Sequence, residues 1–200
     1  MMQVEKQIPE TFTKVVLLDG DILFASPTWY DTVSKLLDSS DVVRPFKIAN
    51  CMDLTYKKIE SKVSSVHPGY AWAFQRKSLR TIGIYENAVM GGGDTVLECK
   101  VFCKPVSYLA YKKDVEIVPL GLTQSTADIT IYHMYHGQIK NRQYSTRHDV
   151  LLRLLLQYSH PSISYMLERR EDGIMEWKLP YRATMNRTLL TYFTGRKEDD

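Results

Sequence analysis

The sequence predicts an α/β fold: a mixed, mainly parallel sheet flanked by helices, in one domain spanning 1–200. Three observations carry this. Short apolar runs that end in turn signals alternate along the chain with amphipathic, helix-like stretches, the pattern of strands and helices packed in layers. The first such run, Val15 to Leu18 in "KVVLLDG", is continuous rather than alternating, which suits a strand buried in a parallel sheet. Neither an internal repeat nor a low-complexity tract interrupts the series.

In order, "KVVLL" is the first strand and "DG" its turn. Ser26 followed by Pro27 opens a helix, a hydroxyl cap before a proline in the first turn, and Trp29, Val33, Leu36 and Leu37 fall on one face of it. "DVVRPF" is the next strand. Residues 50–64 are polar and Lys-rich without a clear period, and read as a solvated loop or insertion. "GYAWAFQRKSLRTIG" is a strand running into a short helix stopped by Gly83 in the left-handed region. "AVMGGGDTVLECKVFC" is an apolar run, a glycine loop and a helix from about Asp94 to Cys103, with Pro105 beyond it. "VEIVP" and "ITIYHMYHG" read as strands, "STRHDVLLRLLLQYS" as an amphipathic helix, "EWKLPYRATMNRTLLTYF" as a last helix, and 196–200 as a frayed tail.

Bulk properties narrow the classes. Two hundred residues bury a core without disulfides. A net charge of +3 is too weak for a dedicated nucleic-acid binder. Cys51, Cys99 and Cys103 form no CxxC pair, and buried reduced thiols imply a reducing, cytoplasmic compartment. No apolar run approaches the roughly 18 residues of a membrane span, and the polar N-terminus is unlike a signal peptide. Any membrane contact is therefore expected to be peripheral.

Three clusters carry possible chemistry. Asp19 and Asp21, one residue apart after the first strand, stand where open α/β sheets place their ligands. Both can reach one hard cation, Mg²⁺ or Mn²⁺, with phosphate oxygens as further ligands; an Asp-Gly turn with both acids solvated fits the spacing equally well. In "GGGDT", Gly91 to Thr95, the glycines permit close backbone approach and Asp94 opens a helix. Asp94 is either a cap or a general base beside an adjustable loop; with no GK[ST] following, the loop is not a Walker A motif. "IYHMYHGQIKNRQYSTRHD" crowds His133, His136, Lys140, Arg142 and Arg147 together. Imidazoles can ligate a metal and cations can neutralise a diphosphate; a basic surface loop is the alternative.

Two enzyme classes use such parts. In one, a metal holds a nucleotide diphosphate leaving group while a base activates an acceptor hydroxyl. In the other, Asp19 is a phosphoryl-accepting nucleophile and "GDTVLE" supplies metal ligands: "LLDGDILF" resembles the first motif of haloacid-dehalogenase-type phosphatases, but no later Ser/Thr and Lys fall at strand ends to complete that set.

As an ordered set, the blocks "LDGDILFASPTWYDTVSKLLDSSDVVRPF", "HPGYAWAFQRKSLRTIGIYENAVMGGGDT" and "ITIYHMYHGQIKNRQYSTRHDVL" resemble the C-terminal, galactosyltransferase-like portion of GT-A-type glycosyltransferases of bacteria, phages and large DNA viruses. The likeness runs from about residue 14 to 157; the tail "GIMEWK…LLTYF" is a weaker match. It implies a transferase that moves a sugar from a UDP- or GDP-sugar to a glycan or protein acceptor, in host cytoplasm if the chain is viral. Asp19, Asp21 and His136 would hold Mn²⁺ or Mg²⁺. Lys140 and Arg142 would steady the diphosphate, and Asp94 would be the base. Tyr70, Trp72, Gly92 and Gly93 would form the sugar and acceptor wall, and 137–146 a loop closing over the donor.

Two departures from the pattern stand out. "YSHPSIS" replaces an expected Asp-Pro turn after the long helix. Only eighteen residues precede Asp19, fewer than the roughly 30 that one βαβ unit needs, so the nucleotide-binding half is expected to lie outside this chain. That leaves a truncated or split product, a subunit whose sheet a partner chain completes, or a non-catalytic binding module derived from such an enzyme.

Overall fold

The computed structural model describes residues 2–144, 146–159 and 162–196, and their side chains except those of Met2, Gln3, Ile139 and Lys140. In chain order the elements are α1 (Met2–Glu5), β1 (Lys14–Leu18), β2 (Ile22–Phe24), α2 (Trp29–Leu37), β3 (Val42–Arg44), β4 (Ile48–Met52), β5 (Lys58–Val63), β6 (Ala71–Gln75), α3 (Arg76–Ile82), α4 (Gly93–Val101), β7 (Gln124–Thr126), β8 (Thr130–His133), α5 (Arg147–Gln157), α6 (Ile163–Met166), β9 (Leu167–Arg169), β10 (Met175–Trp177) and α7 (Leu179–Thr194). Single 3₁₀ turns lie at Ser64–Val66 and Ile139–Arg142.

The chain divides into two compact units. The first takes Met1–Ile84, Leu97–Lys104 and Val118–Tyr135; the second takes Tyr85–Val96, Pro105–Ile117 and His136–Asp200. The first holds two four-stranded sheets, ordered β1-β6-β3-β7 and β2-β8-β4-β5. One face of the β1-β6-β3-β7 sheet packs Val15, Val42, Trp72 and Phe74 against Leu79, Ile82, Leu97 and Val101 of α3 and α4. Its other face sets Val43 and Ala73 on Val33 and Leu37 of α2, the helix face that the sequence spacing indicates. Phe46, Ala49, Ala71 and Ile131 make a third cluster. In the second unit β9 and β10 form a hairpin, and Leu151, Leu154 and Leu155 of α5, with Met185 and Tyr192 of α7, are buried.

The α/β class holds, with mixed sheets and flanking helices. The expectation of mainly parallel pairing does not. Among the described residues only β3–β7 and β4–β8 are parallel, while β1–β6, β3–β6, β2–β8, β4–β5 and β9–β10 are antiparallel. A parallel pair needs a crossover of a dozen residues or more, and about eighty residues separate the strands of each parallel pair. The run Val15–Leu18 also misleads. Val15 is buried, but Val16 and Leu18 are exposed, because alternate side chains of β1 face opposite sides of the sheet and only the Val15–Leu17 side is packed.

Two local expectations also change. Residues 50–64 form most of the β4–β5 hairpin rather than a loop; nearly every residue of β5 is exposed, so the sequence carries no burial period to reveal it. "VEIVP" is not a strand. Of the thiols, Cys51 and Cys99 are buried and Cys103 is exposed beyond the end of α4. Gly83 does end α3, with φ 64° but an extended ψ of 140°. Residues 197–200 of the expected frayed tail, and His160 and Pro161 of "YSHPSIS", lie outside the described residues.

Candidate functional site

In the first unit the strongest chemical grouping lies at the carboxyl end of β1. The chain turns through Asp19-Gly20-Asp21 into β2, which pairs antiparallel with β8 and sets Ile22 opposite His133. That register brings Asp21 Oδ2 to 3.3 Å from His133 Nε2, and Met134 N–H donates to the Asp21 carbonyl at 2.8 Å. His136 follows three residues after His133 in the chain. One ligand atom each from Asp21, His133 and His136 lies within 4.8 Å of the others, all three side chains being half-buried.

A carboxylate with two imidazoles is a competent cation-binding donor set. Two nitrogen donors suit Mg²⁺ poorly, since it prefers oxygen ligands and water, and leave Mn²⁺ as the better of the two expected ions. Asp19 is not in the cluster. Its Oδ2 accepts the Tyr70 N–H at 2.9 Å, and its own N–H donates to the Tyr70 carbonyl at 2.9 Å. These bonds hold Tyr70 at φ 78°, a left-handed backbone that a tyrosine rarely adopts.

The segment before Tyr70 is clamped from below. Arg44 is buried, and its guanidinium donates to the carbonyls of His67 (2.6 Å), Pro68 (3.1 Å) and Gly69 (3.1 Å). The same group stacks over Trp72 at 4.1 Å, whose indole N–H donates to the Pro68 carbonyl at 2.7 Å. His67 lies flat on the Tyr70 ring, centroids 4.1 Å apart, and the His133 ring is 4.6 Å from Tyr70 on a tilt. Burial first, then the Lys62 and Arg44 charges, lowers the His67 pKa to about 4. Burial and the Cys51 thiol beside its hydroxyl push Tyr70 well above the usual phenol range. Both rings are therefore neutral at physiological pH.

The glycine loop belongs to the second unit. Gly91 and Gly92 both have positive φ, 84° and 85°, while Gly93 starts α4. A Cβ at Gly92 would stand 2.8 Å from the Tyr108 ring and 3.0 Å from His148. Those two rings stack at 3.7 Å, and Tyr111 OH donates to the Gly91 carbonyl at 2.9 Å. Arg147 Nε donates to His148 Nε2 at 3.2 Å. Burial, with Arg147 adding to it, lowers the His148 pKa to about 4. Asp94 is exposed in the first turn of α4, its Oδ1 accepting the Thr95 N–H at 2.8 Å.

The sequence-derived residues therefore fall into three groups. Asp21 and His136 come together, joined by His133. Gly92 ends the glycine loop of the second unit, and Gly93 and Asp94 open the helix α4 that follows it. Trp72 is corrected: at 4 % exposure, with Arg44 on its face, it is a core residue rather than a sugar wall, and Tyr70 is likewise buried with a structural hydrogen bond on each side of its amide. Arg142 is corrected too: it is buried, and its guanidinium donates to the carbonyls of His136 (3.2 Å) and Gly137 (3.3 Å) rather than lying open to an anion. The Lys140 side chain and Ser145, within the expected closing loop, lie outside the described residues. In the sequence only the His-x-x-His spacing marks His133 as a candidate ligand. Arg44 and His67 carry no such mark, because their roles are made by backbone carbonyls and a stacked ring.

Comparison with protein-family models, with curated proteins and with solved structures finds no match to this chain.

Proposed function

We propose that the chain is a metal-dependent glycosyltransferase, or the metal- and diphosphate-holding part of one, acting on a nucleotide-diphosphate sugar and an acceptor hydroxyl. One observation supports this above the rest. Asp21 and the pair His133 and His136 stand more than a hundred residues apart in sequence, in the two blocks whose likeness to such transferases implies a shared metal, and their ligand atoms converge within 4.8 Å.

Asp21, His133 and His136 would hold Mn²⁺, which when bound supplies Lewis-acid stabilisation of the charge on a leaving diphosphate. Arg142 holds the His136 and Gly137 carbonyls and so fixes the backbone that carries one ligand. Asp94, open to solvent beside a glycine loop, takes the proton of the acceptor hydroxyl as general base.

Calorimetric titration with Mn²⁺, alone and with UDP- and GDP-sugars, tests the reading. Mn²⁺ binding that His136→Ala abolishes, with a sugar nucleotide bound only when Mn²⁺ is present, is the expected result. A folded protein that takes up neither overturns it. Metal-dependent sugar-nucleotide binding without transfer to any acceptor would instead mark a binding module. Where transfer is seen, Asp94→Asn removes it while donor binding stays; unchanged turnover removes Asp94 from the base role.

A further inference from the structure

Ala49 and Cys51 anchor the β4–β5 hairpin of the first unit in the core, but its tip serves neither the core nor the metal cluster. Its turn is rigid. Asp53 Oδ1 accepts the Thr55 N–H (2.7 Å), the Thr55 hydroxyl (2.7 Å) and the Lys57 N–H (3.0 Å), while Asp53 N–H donates to the Lys57 carbonyl at 2.9 Å. The acid at the tip thus bonds back to its own turn through one oxygen, and these bonds, the Lys57 N–H first, hold its carboxyl below the usual range.

What the turn presents outward is apolar and cationic. Leu54 is 75 % exposed and Tyr56 71 %, the latter at φ 59°. Ile59, 65 % exposed, follows on β5. Further back Ile48 stands opposite Val63, both exposed, separated from the tip by the hydrogen-bonded Asn50–Ser61 pair. Lys57 and Lys58 flank the tip and make no ion pair among the described residues. Lys62 and Lys47 lie further back, paired with Glu60 at 3.6 Å and Asp128 at 3.1 Å.

We propose that this hairpin is a peripheral membrane-docking element that inserts Leu54 and Tyr56 into the headgroup boundary of an anionic bilayer. Charge and shape both argue for a lipid surface. The free cations beside the apolar tip complement anionic headgroups, and a tyrosine is at home at headgroup depth, its ring in the apolar layer and its hydroxyl in water. The narrow tip, with Leu54, Tyr56 and Ile59 as its apolar side chains, offers a protein partner less than the roughly 800 Å² per side of a stable interface, whereas a fluid bilayer closes around such a tip. No described helix is long and apolar enough to cross a membrane, so contact of this kind is confined to the interface. The inference stands apart from the transferase reading, since the hairpin contributes no residue to the metal cluster.

Co-sedimentation of the full chain with vesicles of phosphatidylcholine, with and without phosphatidylserine, tests it. The protein is expected to pellet with the phosphatidylserine vesicles and to be released by added salt. At about 1 kcal/mol per lysine, or about fivefold each, Lys57→Gln with Lys58→Gln lowers partitioning about 25-fold. Leu54→Ser with Tyr56→Asn, asparagine being chosen because it tolerates the left-handed backbone, lowers it tenfold or more. Circular dichroism of both variants is expected to match the parent, because every altered side chain is exposed. The proposal is overturned by a parent protein that does not pellet, by equal pelleting with both vesicle types, or by variants that pellet like the parent. It is equally overturned if the same substitutions dissolve an oligomer seen by light scattering without lipid, which would make the tip a contact between copies.

Discussion

Replacing Arg44 with methionine keeps the volume of the aliphatic stem and removes the guanidinium that ties His67, Pro68 and Gly69 together. Three hydrogen bonds are lost. The bond to Gly69 is buried, and leaving that carbonyl unpaired costs about 2 kcal/mol. The His67 and Pro68 carbonyls are part-buried and regain water, so they cost about 1 kcal/mol each. Loss of the cation over Trp72 adds about 0.5–1 kcal/mol. Against these, the variant no longer buries a charge, which returns about 1–2 kcal/mol. The net loss is about 3 kcal/mol. With a urea slope of about 2–3 kcal/mol per molar, the unfolding midpoint falls by about 1–1.5 M. Tryptophan fluorescence reports the change, since Trp72 sits under the guanidinium. Arg44→Lys, which keeps the charge but not the fork, is expected in between. A midpoint shift under about 0.3 M for Arg44→Met would show that the loop holds its own shape, and would refute the clamp.

Acid has a defined effect on this molecule. His67 and His148 both have folded pKa values near 4 against the usual 6.5, so the unfolded chain binds more protons and stability is full above pH 6.5. It is lost progressively as pH falls from 6.5 towards 4. The whole shift would amount to about 3 kcal/mol per residue; half-buried rings exposed to solvent screening deserve about 1–2 kcal/mol each. Urea midpoints measured from pH 7 to pH 4 should show the slope, and His67→Phe should flatten part of it; an unchanged slope removes His67 as a cause. Gly92→Ala places a methyl 2.8 Å from the Tyr108 ring on a backbone at φ 85°, and should cost about 2–3 kcal/mol, read as a fall in thermal midpoint. A midpoint within error of the parent would mean that Tyr108 and His148 move aside freely.

Local pattern alone located most helices. Apolar spacing gave α2, with Val33 and Leu37 buried as their positions require, although the helix starts at Trp29 with Thr28 as its N-cap and not at Ser26-Pro27, and α5 and α7 followed from period and length. The sequence also singled out Asp21, His136, Asp94 and the glycine loop, because their residue types and spacing are chemically uncommon. Strand direction was not legible, since parallel and antiparallel partners demand the same residues and differ only in where the chain returns. Nor was it legible that only one side of β1 is packed. Partners from distant segments were equally hidden. His133 becomes a ligand candidate only because β2 pairs with β8, Asp19 turns from metal ligand to backbone partner only because β1 pairs with β6 beside Tyr70, and Trp72 and Arg142 spend their polar groups on carbonyls that no local pattern announces. Residue chemistry and periodicity are properties of neighbouring positions in the chain; pairing, burial and the convergence of ligand atoms are properties of segments that meet only when the chain is folded.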